Sequence, residues 1–185
     1  NDTYPTALHL SLILRSNVLV KAVEDLVASF YKQAEKTKDV LKMGRTHLQD
    51  AVPMSFAQEF HGWGTTIGDE IKTVKRLAEL TGIPFVNSDD LIAATSDCGA
   101  YVALSSACKS LAVKLTKVCN DLRLLASGPR TGLGEIVLPQ LQPGSSIMPG
   151  KVNPVIPEVT NQAAFLAIGL DTSVMLAASA GQLEL

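Results

Sequence analysis

The chain has 185 residues, 46% of them hydrophobic, 18% charged and 5% aromatic, with 16 basic against 18 acidic side chains and a net charge of −2. So small a charge excludes a binder of nucleic acid or anionic membrane driven by bulk electrostatics, and so apolar a chain is not intrinsically disordered. Scarce aromatics argue against a β-sandwich or barrel and for helices packed with Leu, Ala and Val.

The first predicted element is a helix from Pro5 to about Lys36, where Leu8, Leu12, Leu19, Val23, Leu26 and Phe30 recur at helical steps. Asp2 or Thr3 can cap it and Pro5 suits its first turn. Asp39 to Pro53 breaks the pattern with a polar, irregular stretch. A second helix is expected from about Ser55 to Leu80, with Phe56, Phe60, Trp63, Ile67 and Ile71 on one face. Gly62, Gly64 and Gly68 within it each cost about 1 kcal/mol in a helix, and close approach of another helix is the expected compensation. Thr81-Gly82-Ile83-Pro84 ends it, and a loop follows to about Asp90.

A third helix is expected over Gly99 to Leu125, with Leu104, Cys108, Leu111, Leu115, Val118 and Leu122 in register, stopped by Ser127-Gly128-Pro129. Arg130 to Pro149 holds too many Gly and Pro residues for a helix. The last helix starts near Val152 and runs to about Ser179, with Pro154 and Pro157 in its first turn. No strand pattern stands out, so the expected fold class is all-α, built of long antiparallel helices. No apolar run reaches the roughly 18–20 residues that cross a bilayer, so a soluble chain is expected. Cys98, Cys108 and Cys119 have no metal-binding spacing and read as reduced thiols of a cytoplasmic protein. The chain begins at Asn1 rather than Met and stops inside an apolar pattern, and both ends read as cut from a longer protein.

Three polar islands interrupt the apolar helices: Asn1-Asp2-Thr3, Gly44 to Asp50, and Pro143 to Pro154. In the third, Ser145 and Ser146 lie between glycine and proline, and Lys151 and Asn153 follow at a helix start. Free N–H groups and a lysine at a helix N-terminus suit an anion, a carboxylate being the simplest.

These islands carry a resemblance. Gly144 to Pro154, reading GSSIMPGKVNP, resembles the signature of the aspartase/fumarase superfamily. Gly44 to Pro53, reading GRTHLQDAVP, resembles that family's second block, and Asn1 to Thr6 resembles the tail of a third. The run Val155-Ile156-Pro157-Glu158 and the end Ala180-Gly181-Gln182 are similar to the aspartase branch rather than the fumarases.

The resemblance implies the central helical-bundle domain of that fold over 1–185, in part, without the amino-terminal and carboxy-terminal domains. A Gly/Thr-rich segment of the family is missing near 72–77. It implies reversible anti elimination of ammonia from L-aspartate to give fumarate. Ser145 corresponds to the family's catalytic serine, and Ser146 would help hold the β-carboxylate. Lys151 and Asn153 would bind the α-carboxylate and Thr46 a carboxylate. His47 would hydrogen-bond the substrate near its amino group, Glu158 would partner that histidine, and Asn1 would contact the amino group. His9 and His61 read as structural. Neither cofactor nor metal is expected, and the implied assembly is a homotetramer whose sites draw on three subunits. A class II fumarase acting on fumarate and malate, and a non-catalytic superfamily member, are the alternatives.

Overall fold

A computed structural model describes residues 3–80, 97–144, 147–148 and 150–181. Its elements are α1 (Thr3–Lys36), β1 (Leu41–Thr46), β2 (Gln49–Ser55), α2 (Phe56–Leu80), α3 (Gly99–Leu125) and α4 (Val155–Ser179). The helices fall where the apolar periodicity puts them, and the all-α class stands. The expected loop over 81–90 and the Asp2 cap lie outside the described residues. The chain divides into two units, Asn1–Ala107 and Cys108–Leu183, and the boundary falls inside α3.

In the first unit α1 and α2 pack side by side. Ser16, Val23, Phe30 and Ala34 are the buried stripe of α1, and Phe56, Trp63, Ile67, Glu70 and Val74 that of α2. Both stripes advance in steps of three, four or seven residues, the repeat that keeps one helix face against another. Tyr31 lies against Gly64, Val27 against Gly68 and Glu24 against Lys75, so position rises on one helix as it falls on the other and the pair is antiparallel. Trp63 meets Phe30 and Phe60 edge-on, with centroids 5.9 and 5.4 Å apart, the geometry aromatic quadrupoles prefer. Of the three helical glycines, Gly64 bears out the expected close approach. A Cβ there would stand 2.8 Å from the Tyr31 ring, whereas Gly68 has only ordinary contacts and Gly62 faces open space. His9 stacks on Tyr101 at 4.7 Å, and His61 packs on Tyr31 at 5.1 Å.

The departure from expectation is a hairpin. Residues 41–55 form two antiparallel strands, with Leu41 opposite Ser55 and Thr46 opposite Gln49. The pairing shifts between Met43 and Arg45, so that Ala51 and Val52 together face Gly44. Such a bulge bends and twists the ribbon. Glycine suits this position, since a Cβ would press on Met54 Sδ and the Val52 carbonyl, each at 3.0 Å. Pro53 is tolerated because both strands of a two-stranded ribbon are edges.

In the second unit α3 and α4 are joined through polar side chains. Lys109 Nζ lies 2.5 Å from Asp171 Oδ2, and Asn161 Nδ2 donates to Asn120 Oδ1 at 2.8 Å. These pairings also run antiparallel. Pro157, Asn161, Ala164 and Asp171 are the buried residues of α4, whereas Ile156, Val159, Phe165, Leu166, Leu170, Met175 and Leu176 are exposed. By length and composition alone α4 is long and apolar enough to cross a bilayer, a measure that tolerates polar and charged residues within the helix. Glu158, Asn161 and Asp171 interrupt it, and the last two are buried toward α3. The thiols are free, and burial pushes those of Cys108 and Cys119 up, which holds them protonated at neutral pH.

Removing one partner of a buried ion pair strands the other charge. The Asp171 side chain is 8% exposed and that of Lys109 42%, so water screens part of the interaction. Lys109→Met is therefore expected to cost about 1–2 kcal/mol in urea unfolding, below the range for fully buried pairs. On the same helix, Lys117→Met breaks the solvated Lys117–Asp121 pair and should cost no more than about 0.5 kcal/mol.

Candidate active site

The first cluster is the end of the hairpin. Thr46 closes β1, and His47 and Leu48 form the two-residue turn, with φ of 52° and 62°. Positive φ at both central residues defines a type I′ turn, whose twist matches the strands but which normally takes Asn-Gly. A histidine tolerates this region better than a leucine, for which it is a strained outlier. Thr46, His47 and Leu48 are all exposed. The Arg45–Asp50 pair spans the strands just behind the turn at 3.6 Å. The fold thus presents a hydroxyl and an imidazole at a two-residue turn closing paired strands rather than in a longer loop.

The base of this hairpin is tied directly to α2. Ser55 and Gln58 form a reciprocal capping box: Gln58 N–H donates to Ser55 Oγ at 3.2 Å, and Ser55 N–H donates to Gln58 Oε1 at 2.9 Å. Phe56 N–H donates to the Val40 carbonyl at 3.0 Å. Lys42 Nζ, on β1, reaches Glu59 Oε2 in the first turn of α2 at 2.7 Å and lies 5.0 Å from the Phe56 ring centroid. The sequence reading missed this pair because Lys42 and Glu59 become neighbours only once 41–55 folds back as a hairpin.

The second cluster precedes α4. Lys151 and Asn153 are exposed, and Glu158 is half-buried in the first turn of the helix. Pro154 occupies the cap position without a side-chain cap bond, Val155 N–H donates to the Asn153 carbonyl at 2.9 Å, and Pro157 has no N–H to offer. The chain returns on itself here, since a Cβ on Gly144 would collide with the Lys151 carbonyl. Lys151 N–H donates to the Met148 carbonyl at 3.2 Å, and Gly150 adopts a φ of 81°. Lys151 and Asn153 thus stand immediately before the positive end of a helix, a setting suited to a carboxylate. Ser145, Ser146 and Asn1 lie outside the described residues. Thr46 and His47 belong to the first unit, and Lys151, Asn153 and Glu158 to the second. Among the described residues no group of three His, Cys, Asp or Glu side chains is placed to hold a metal ion.

Two tight turns between long helices carry these exposed polar side chains. The sequence model of the family described as Lyase matches residues 1–78 and 64–169, and the chain belongs to that family, the aspartase/fumarase superfamily. Within it, the chain is 49% identical to the aspartate ammonia-lyase of Escherichia coli (strain K12), covering 100% of this chain and 45% of that protein. It is 48% identical to the aspartate ammonia-lyase of Pseudomonas aeruginosa, covering 100% and 46%. Among solved structures it resembles a "fumarate lyase:delta crystallin" from Brucella melitensis at TM-score 0.94 and 43% identity, covering 100% of this chain and 49% of the other. A class II fumarase from Schistosoma mansoni matches at TM-score 0.93 and 30% identity, covering 98% and 48%. The chain spans about half the length of these relatives.

The turn offers its own test. Leu48→Gly removes the strain of a positive-φ leucine, and relief of such strain is worth about 1 kcal/mol or more. Thermal unfolding of the variant is expected at a temperature equal to or above that of the unmutated protein. A clear drop would mean that Leu48 makes contacts worth more than its backbone costs.

Proposed function

We propose that this chain is the greater part of the central helical domain of an aspartate ammonia-lyase, which eliminates ammonia from L-aspartate to give fumarate. The observation that carries the reading is 49% identity to the Escherichia coli enzyme over the whole chain. That alignment runs over 217 positions against 185 residues here, which supports a family segment missing near 72–77. In our reading the amino-terminal and carboxy-terminal domains are likewise supplied by the rest of a longer cytoplasmic enzyme.

The demanding step is removal of a proton from Cβ, beside a carboxylate already charged. Ser145, as alkoxide, takes that proton; the electron pair moves into the β-carboxylate to give an aci-carboxylate. Collapse of that intermediate forms the Cα–Cβ double bond and expels ammonia from Cα. Stabilising the extra charge is the main catalytic requirement, and it calls for donors fixed in advance. Ser146 holds the β-carboxylate, Lys151 and Asn153 the α-carboxylate, and Thr46 donates to a carboxylate. His47, partnered by Glu158, and Asn1 hold the substrate near its amino group. No cofactor or metal enters this scheme.

The assembly we infer is a homotetramer whose sites combine residues of different subunits. The apolar face of α4 supports it: Val159, Leu166 and Leu170 follow one another at seven- and four-residue steps and all stand in the open. So much exposed apolar surface on one helix marks an interface. In sedimentation the full-length enzyme is expected to run as a tetramer, and Leu166→Glu with Leu170→Glu to shift it toward smaller species.

Fumarate absorbance tests the reaction: the full-length enzyme should generate it from L-aspartate, whereas production from L-malate alone would identify a fumarase instead. Ser145→Ala should lower turnover by several orders of magnitude with little change in inhibitor affinity, because the lost interaction exists mainly in the transition state. Lys151→Ala should weaken binding of the ground state by about 2–4 kcal/mol, as expected for one side of a desolvated charge pair. Near-normal turnover in Ser145→Ala would end the assignment of the base.

A further inference from the structure

We propose that Lys42 is a positioning residue of the active site, setting through Glu59 and Phe56 the angle at which the hairpin presents Thr46 and His47; the inference rests on the lyase reading above. A lysine on a two-stranded ribbon ordinarily points into water. Here the Lys42 side chain is 5% exposed, and its ammonium meets Glu59, itself 19% exposed, at 2.7 Å. It also lies near the Phe56 ring, at 5.0 Å from the centroid. Burying an ammonium is unfavourable unless its geometry is closely matched, so the position of β1 relative to α2 is held to a narrow range. Phe56 and Glu59 stand on consecutive turns of one helix face, and both meet the ammonium.

The lever arm gives this consequence. Five residue steps run from Lys42 to His47, about 16 Å at the usual strand rise. A tilt of a few degrees at the base therefore moves the turn by about 1 Å. A misplacement of that size can cost up to about a hundredfold in catalytic efficiency, and for groups that hold the substrate the loss falls mainly on KM. The capping box and the Phe56–Val40 hydrogen bond fix where the hairpin leaves the helix. The Lys42–Glu59 pair is a side-chain tie further along the ribbon, nearer the turn.

The experiment compares Lys42→Met, Glu59→Gln and Lys42→Arg in the full-length enzyme with Lys75→Met. That last variant removes the 2.6 Å Glu24–Lys75 tie between α1 and α2 but touches no part of the hairpin. Steady-state kinetics with L-aspartate well below each melting temperature, and amide hydrogen exchange over 41–55, are the readouts. Lys42→Met and Glu59→Gln are expected to raise KM about tenfold or more with a smaller change in kcat. Exchange should quicken in the hairpin but not in α2 beyond its first turn. Lys42→Arg should recover most of the loss, and Lys75→Met should leave KM unchanged.

Unaltered KM and unaltered hairpin exchange in Lys42→Met or Glu59→Gln would overturn the proposal, as would an equal KM change in Lys75→Met. Should Lys42→Met fail to fold, the milder Glu59→Gln decides by the same measures. If the unmutated enzyme releases no ammonia from aspartate, the lyase reading fails by itself, and hydrogen exchange still tells whether Lys42 holds the hairpin.

Discussion

The packing of Trp63 against Phe30 and Phe60 is the contact on which the first unit depends. A two-stranded ribbon is marginally stable alone in water, and a helix of α1's length gains most of its stability from a packed face. The aromatic cluster serves both needs: it locks α1 and α2 in antiparallel register, and Phe56, at the start of α2, meets Phe60 at 6.2 Å. Because α2 follows Ser55 with no linker, rigidity in the helix pair passes straight into the ribbon. The Thr46–His47 turn is thereby held by a core that lies far along α2 from it.

The second unit follows another logic. α4 turns Asn161 and Asp171 inward, to Asn120 and Lys109, and most of its large apolar side chains outward. Buried polar partners are directional, so they select one register between two helices where apolar packing alone would tolerate several. The stretch before α4 depends on that register, since Lys151 and Asn153 immediately precede the helix. The outward apolar face lacks a counterpart among the described residues of this chain, which is why the proposed activity is assigned to an assembly of several copies.

Much of this was legible in the amino-acid order. Helical periodicity placed α1, α2, α3 and α4 to within a few residues, because Leu, Val and Phe repeat at three- and four-residue steps and Gly-Pro stops are explicit. The hairpin was not legible. Its strands read LKMGRT and QDAVPMS, with a bulge at Gly44, a proline at 53, and His-Leu where a type I′ turn normally shows Asn-Gly, so alternation and turn chemistry were both obscured. The buried residues of α4 escaped for a related reason: hydropathy alone puts Phe165 and Leu166 inside and Asp171 outside. For the candidate site, the motifs singled out the residues, while the strained turn and the Lys42–Glu59 tie became visible only with the backbone in place.

The closed geometry of the hairpin also limits how this stretch can vary in length. Surface turns usually accept added or lost residues, and the exposed segment between Pro139 and Pro143 has that freedom. Between Val40 and Phe56 it does not exist. The backbone bond joining those two residues fixes both ends, the bulge fixes the count on each strand, and shifting a strand by one residue would turn every following side chain to the opposite face. Descendants of this sequence can therefore exchange only those ribbon side chains that neither crowd the bulge nor tie it to α2, and an insertion or deletion of a single residue there would move the imidazole off its perch.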